Sequence, residues 1–189
     1  MEVLFFLIGI LLTLVISQPG LELVQRLRRR ITWRRFTKGV RNTLAELERQ
    51  GWTPDVVVGL NSGIVPASIL ALNLRVRDVL FYESLPEYRD GRRQVGQIED
   101  KQVDLSGQDI LIVDDQAYTG RSLDDLYKHL VTAAKADPSR VKRHALFTYE
   151  AGAGPVEMEI PAYGRVRGGV KEMPWVISGK IKHYWKNRA

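Results

Sequence analysis

The chain has 189 residues, 44% of them hydrophobic and 26% charged, which suits one globular domain with an appendage and argues against extended disorder. Cysteine is absent, which excludes a disulfide framework and thiolate chemistry, and His129, His144 and His183 have no metal-ligand spacing. The net charge of +6 is carried entirely by residues 1–41, where eight basic side chains face Glu2 and Glu22, so the neutral remainder lacks the basic excess that would capture a nucleic-acid backbone, and no nucleic-acid partner is expected.

Val3 to Ile16 reads VLFFLIGILLTLVI, fourteen uncharged residues in which only Gly9 and Thr13 weaken the apolarity. A spanning helix needs about 20 apolar residues, so this run is short. A secretory signal puts positive charge before its apolar core, whereas here Glu2 precedes it and Arg26 to Arg35 follow. Ser17 to Leu23 adds only Glu22 as a charge, which lengthens the segment to a marginal span. The charge order predicts a single-pass membrane anchor through residues 3–18, with the soluble domain facing the cytoplasm. Residues 1–31 are thus read as anchor and basic juxtamembrane segment, and 32–189 as the folded domain. The plainer alternative is a helix packed on the domain or on a partner. The arginines suit anionic head groups, or form a solvated helix face.

From Trp33 to Gln50, Phe36, Val40, Leu44 and Leu47 recur at helical spacing, and Gly51 is a stop signal. Pro54 and Asp55 lead into VVVGL, Val56 to Leu60, a β-branched run of the kind buried in a parallel sheet. Asn61-Ser62-Gly63 turns into a helix over Ile64 to Leu74, which tolerates Pro66 in its first turn. A strand follows over Asp78 to Ser84, then a polar, mobile stretch from Leu85 to Asp104. Ile110 to Val113 reads as a third strand, Arg121 to Ala136 as a helix and Val141 to Tyr149 as a fourth strand. This alternation predicts an α/β domain with a mainly parallel sheet flanked by helices. Beyond Glu150 glycine and proline punctuate the chain, which ends in Trp175-Val176-Ile177 and a basic tail from Lys180 to Arg188.

Ligands of open parallel sheets gather at the carboxyl ends of strands, where Asp114 and Asp115 are expected. Two adjacent carboxylates accept hydrogen bonds from a vicinal diol and favour positive charge on a sugar ring. Thr119, Gly120 and Ser122 lead into the next helix, whose first backbone N–H groups, with the two hydroxyls, suit a phosphate monoester. Diol acceptors beside a phosphate nest describe a ribose 5-phosphate. In the plainer reading the acids only end a strand and Ser122 caps a helix.

The string ILIVDDQAYTGRS resembles the signature of the type I phosphoribosyltransferases: four apolar residues, two acidic, three variable, then Thr-Gly-x-Thr/Ser. Ile110 to Val113, Asp114, Asp115, Thr119, Gly120 and Ser122 match without a gap. VVVGLNSGIVPA, Val56 to Ala67, is similar to the family's strand and pyrophosphate loop, and Leu85 to Asp104 falls where the family has its flexible loop. The resemblance implies binding of 5-phosphoribosyl 1-diphosphate and transfer of the phosphoribosyl group to a nitrogenous base, releasing pyrophosphate. By matched position Asp114 and Asp115 are the catalytic pair, and Ala117, Tyr118, Thr119, Gly120, Arg121 and Ser122 cradle the 5-phosphate. Asn61, Ser62 and Gly63 take the pyrophosphate, and Arg89, Arg92 or Arg93 folds over the site. Mg²⁺ is implied as carried by the diphosphate, with no metal site in the protein itself.

Tyr118 stands where purine-specific members commonly have an aspartate that exchanges a proton with the base, which argues against purine salvage. An aromatic followed by Thr-Gly-Arg is instead similar to the pyrimidine operon regulators with uracil phosphoribosyltransferase activity. Asn61-Ser62-Gly63 replaces a more usual pairing of a basic residue with glycines. Trp175 is a candidate to stack on the base, with Lys171 on a ring oxygen, although a Trp before two β-branched residues also suits a core strand. Two readings follow: a membrane-tethered transferase, or a non-catalytic ribose-phosphate sensor or membrane scaffold on the same fold. Either leaves room for a homo-oligomer.

Overall fold

The structure, a computed structural model, describes residues 30–83, 98, 101–149, 158–166 and 173–175, with the backbone of 87–89 and 92–94. Two compact units are present, Arg34–Gly168 and a smaller one combining Met1–Trp33 with Gly169–Ala189. In the smaller unit Ile31 and Met173 are buried, and the rings of Trp33 and Trp175 meet at 6.3 Å. The apolar run read as an anchor lies outside the described residues; among those described, no helix is long and apolar enough to cross a membrane.

Helix α1 (Trp33–Arg49) is followed by β1 (Val56–Leu60), a 3-10 turn (Asn61–Gly63), α2 (Ile64–Leu74) and β2 (Asp78–Tyr82). Next come β3 (Glu87–Arg89), β4 (Arg92–Gln94), β5 (Ile110–Ala117), α3 (Arg121–Thr132), β6 (Val141–Tyr149) and β7 (Gly164–Val166). The main sheet has the order β2-β1-β5-β6-β7 with every neighbouring pair parallel, as the strand–helix alternation predicts. Its central strands are dry: Val57, Val58, Leu60 and Ile110 to Val113 are fully buried. Such runs of Val, Ile and Leu mark strands covered on both faces.

One face packs on α3, where Val56, Val58, Leu60, Ile110 and Ile112 cluster with Leu123, Leu126 and Leu130. Arg143 of β6 holds that helix in place by pairing with Asp124 at 2.5 Å and lying over the Tyr127 ring. On the other face α2 packs against β1 so closely that a Cβ on Gly59 would meet Ala67 and Ile64 at 3.0 Å. Helix α1 packs against β6, its Gly39 leaving room for Leu146. The buried stripe of α1 runs through Phe36, Gly39, Val40, Thr43 and Leu47, with Leu44 only half-buried. Thr43 takes the place expected of Leu44 because its hydroxyl meets Nε2 of the buried His144 at 2.8 Å. The Nδ1 of His144 faces the Ile160 carbonyl at 3.2 Å; a carbonyl only accepts, so Nδ1 carries the hydrogen and Nε2 accepts from Thr43. Burial lowers the His144 pKa to about 4, against the Ile160 carbonyl, and holds the ring neutral.

Four elements depart from expectation. Strand β5 continues past Val113 to Ala117 because β6 keeps pairing with it, Asp114 with Ala145 and Gln116 with Phe147. Helix α3 stops at Thr132, not at Ala136. Lys135 turns left-handed (φ 57°), and Ala134 and Ala136 are buried while the chain turns back to β6. Strand β2 ends at Tyr82, two residues short of Ser84. The polar stretch 85–104 contains an antiparallel hairpin, Glu87 opposite Gln94 and Arg89 opposite Arg92. A cavity of about 220 Å³ lined by Val56, Asp78, Leu80 and Leu105 opens at the amino ends of β1 and β2, the end of the sheet away from the acidic pair.

Candidate functional site

The sheet is notched where the acids stand. Strand β1 pairs with β5 only up to Gly59 opposite Val113, keeps β2 as partner through Leu60 and then turns away as the 3-10 turn, while β6 follows β5 to its end. Asp114 and Asp115 therefore lie in the projecting end of a strand, with the Asn61–Gly63 turn against one side. Contact there is tight: a Cβ on Gly63 would lie 2.4 Å from the Val113 carbonyl oxygen and 2.8 Å from the Asp114 Cα. Only glycine lets the turn approach the acidic strand so closely. Asn61 enters the turn with φ 48°, a left-handed backbone that asparagine tolerates better than most residues.

The two carboxyls differ in surroundings. Asp114 is half-buried and Asp115 only 4% exposed. Burial, followed by the negative charge of Asp115, pushes the Asp114 pKa well up. Burial also raises Asp115, opposed by hydrogen bonds from the Ser62 hydroxyl, then the Asp114 carboxyl, then Gln116. The Asp115 backbone N–H donates to the Asp114 carboxylate at 2.8 Å. Such a pair gains from any hydroxyl donor or cation brought against it.

After Ala117 the chain bends through Tyr118, Thr119 and Gly120 into α3. Gly120 is left-handed (φ 73°) and serves as the N-cap residue with no side-chain cap, so Ser122 is not the cap. The Thr119 hydroxyl accepts from the Arg121 N–H at a long 3.4 Å. An uncapped helix start presents backbone donors to an anion. Asp124, the acid in this first turn, has its charge paired by Arg143. Arg121 is exposed and Ser122 half-buried. The Ala117 methyl belongs to the apolar cluster beneath α3, so only its backbone is available to a ligand.

The structure thus brings together Asn61, Ser62, Gly63, Asp114 and Asp115, with Tyr118, Thr119, Gly120, Arg121 and Ser122 in the turn that follows. Arg89, Arg92 and Arg93 lie on the hairpin strands, but their side chains and Lys171 are outside the described residues. Trp175 has Trp33 as its ring partner in the smaller unit. Sequence reasoning missed three features: the Ser62 side chain as a donor to Asp115, Gln116, and Tyr149, whose hydroxyl donates to Gln116 Oε1. Period-two alternation was the available signal for Gln116, since a strand that continues past Val113 puts residues 114 and 116 on one face.

Among the described residues no group of three or more His, Cys, Asp or Glu is placed to hold a metal ion. The two aspartates and Ser62 are hard oxygen donors, which fits a Mg²⁺ ion held partly by a ligand's phosphates.

The family model of the phosphoribosyl transferase domain matches residues 31–173. No curated protein sequence matches significantly. Among solved structures the chain is similar to a purine phosphoribosyltransferase from Pyrococcus horikoshii, at 20% identity and TM-score 0.58 over 79% of this chain and 97% of that one. It is similar to a Helicobacter pylori xanthine-guanine-hypoxanthine phosphoribosyltransferase at 16% identity and TM-score 0.59, covering 84% and 97%. A Neisseria gonorrhoeae hypothetical protein with bound ppGpp matches at 17% identity and TM-score 0.60, covering 83% and 94%. At these identities the likeness shows the fold.

Proposed function

This chain belongs to the phosphoribosyl transferase domain family, and on that footing we propose that it binds 5-phosphoribosyl 1-diphosphate and transfers the phosphoribosyl group to a nitrogenous base. The observation that carries the reading is the joint site of Asp114 and Asp115 with the Ser62-Gly63 turn, closed by the approach of Gly63 to the acidic strand. In that arrangement the carboxylates accept the ribose 2- and 3-hydroxyls, and the backbone of residues 117–122 with the Thr119 and Ser122 hydroxyls takes the 5-phosphate. The diphosphate falls to the amides of Ser62 and Gly63.

In the reaction the bond from the anomeric carbon to the diphosphate oxygen breaks and the leaving pyrophosphate keeps the electron pair. The ring gains oxocarbenium-like charge, a base nitrogen bonds to the anomeric carbon, and that nitrogen gives up its proton. Mg²⁺ on the diphosphate supplies charge neutralisation of the leaving group. The protein's share is positioning, exclusion of water and carboxylate charge close to the developing cation. A base that arrives already deprotonated, or sheds its proton to solvent, needs no acid or base at position 118.

A non-catalytic reading, a ribose-phosphate sensor or membrane scaffold, is favoured by Tyr118, a half-exposed aromatic where a proton-transferring aspartate is common. Pyrophosphate release by the full-length protein in detergent, with phosphoribosyl diphosphate, Mg²⁺ and a panel of purine and pyrimidine bases, separates the two. The enzyme reading predicts turnover with at least one base. Thermal stabilisation by phosphoribosyl diphosphate without turnover on any base supports the sensor instead.

A further inference from the structure

Helix α1 is charged unevenly along its length. A helix turns about 100° per residue, so the face opposite the buried stripe of Phe36, Val40, Thr43 and Leu47 carries Arg34, Lys38 and Arg41, then Ala45 and Glu48, all exposed. The first turn holds Arg34 and Arg35 and no acid, while Glu46 and Glu48 stand at the far end. Cations in the first turns of a helix work against its macrodipole, so this placement does not serve folding. Arg34, Lys38 and Arg41 have no carboxylate partner among the described residues, and Lys38 rests over the Tyr163 ring at 6.0 Å. The helix runs against the strands. Gln50, just past its end, accepts from Lys142 at the start of β6, whereas Arg35 lies over Phe147, which pairs with Gln116 beyond the acidic pair. The basic half of α1 is therefore at the carboxyl end of the sheet, the end that holds Asp114 and Asp115. Arg165 of β7, whose carbonyl accepts from Arg35, adds an exposed cation at the same end.

We propose that the basic half of α1 is a docking surface for a bilayer carrying anionic lipid, and that docking there turns the site end of the sheet toward the membrane. Charge complementarity is the first argument: exposed guanidinium and ammonium groups are drawn to anionic head groups, by about fivefold in affinity for each cation. Chain order is the second. The apolar run ends at Ile16, and between Leu23 and Arg41 the chain carries eight cations and no acid, so the face of α1 continues a basic stretch that follows the most apolar segment. A nucleic acid would need the basic surface to extend over the domain, which beyond Arg41 is neutral. A merely solvated face gives no reason to gather cations where the helix dipole opposes them. The inference does not depend on which ligand the acidic pair receives.

The test places the full-length protein in nanodiscs of phosphatidylcholine, with and without phosphatidylglycerol, and follows by mass spectrometry the modification of lysines by a water-soluble amine-reactive ester. Lys38 is the reporter. Lys128 on α3, across the sheet, and Lys135, at the opposite end from the site, are exposed references. The docked face predicts that phosphatidylglycerol lowers Lys38 modification at least about fivefold and leaves Lys128 and Lys135 unchanged. High salt, or Arg34→Gln combined with Arg41→Gln, is expected to restore it. Both arginines are exposed, so the double variant should keep the thermal midpoint of wild type or exceed it. Equal Lys38 modification in the two lipids, or equal protection of Lys135, would overturn the proposal, as would protection of Lys38 by single-stranded RNA in place of lipid. Should the chain fail to enter phosphatidylcholine discs, the anchor reading falls and flotation with phosphatidylglycerol vesicles decides the face. Flotation lost in the double variant upholds it, while flotation absent from wild type or kept by the variant overturns it.

Discussion

Burial makes both Asp114 and Asp115 keep their protons more tightly than a free aspartate, and the negative charge of Asp115 adds to the effect on Asp114. For an acid whose folded pKa is raised, the folded state binds more protons than the unfolded one. Its contribution is present at low pH and is lost as pH climbs from the unfolded value, near 4, through the folded one. At neutral pH the acidic pair therefore weakens the ligand-free protein, a cost expected of a binding site and not of a strand end. Asp114→Asn is predicted to raise the thermal midpoint of the ligand-free protein at pH 7, by about 1 kcal/mol of stability, while weakening phosphoribosyl diphosphate binding. The gain should shrink as the pH is lowered towards 4. A variant less stable than wild type at pH 7 would mean that the backbone hydrogen bond accepted by the Asp114 carboxylate outweighs the cost of its burial beside Asp115. At this scale the identities of the acids, Thr119, Gly120 and Ser122 were legible because they form an ungapped string. Gln116 and Tyr149 were not, since their partnership joins two strands that only the fold brings together.

Elements bounded by an apolar run and a breaker were readable to within a residue: β1 after Pro54 and Asp55, α2 up to Leu74, and α1 before Gly51. Strand β5 was not, because a strand end is set by its neighbour's reach, and the polarity of Asp114 and Gln116 does not stop β6 from pairing with them. Strand β7, three residues in a glycine-rich stretch, leaves too short a pattern to detect. The 3-10 turn is the element on which the site depends most. Gly63→Ala sets a methyl against backbone on β5, which cannot retreat as a side-chain tip can. The expected loss is about 1–3 kcal/mol, measured by denaturant unfolding, with a loss of phosphoribosyl diphosphate affinity in the variant that remains folded. Unchanged stability would show that the turn is not pressed on the acidic strand.

For the whole molecule, the family match from 31 to 173 takes in the sheet, the acidic strand and the phosphate turn, and leaves the apolar run before it. The fold class was legible because strand and helix alternate in order, and parallel sheets impose that order. The reading of residues 3–18 as an anchor rests on apolarity and on arginines following the apolar run, not preceding it. Carbonate-resistant membrane association of the full-length protein, lost on deleting residues 1–20, is the expected result. A full-length protein that partitions entirely into the aqueous phase contradicts the anchor and leaves the site untouched.

The central claim is that Asp114, Asp115 and the Ser62-Gly63 turn form one cradle for a phosphorylated ribose. Calorimetric titration of phosphoribosyl diphosphate with Mg²⁺ into wild type and Asp115→Asn tests it most directly. Loss of a charged acceptor for a ribose hydroxyl predicts saturable binding by wild type and an affinity at least about tenfold weaker in the variant. Equal affinities, or no binding by the wild type, would contradict it.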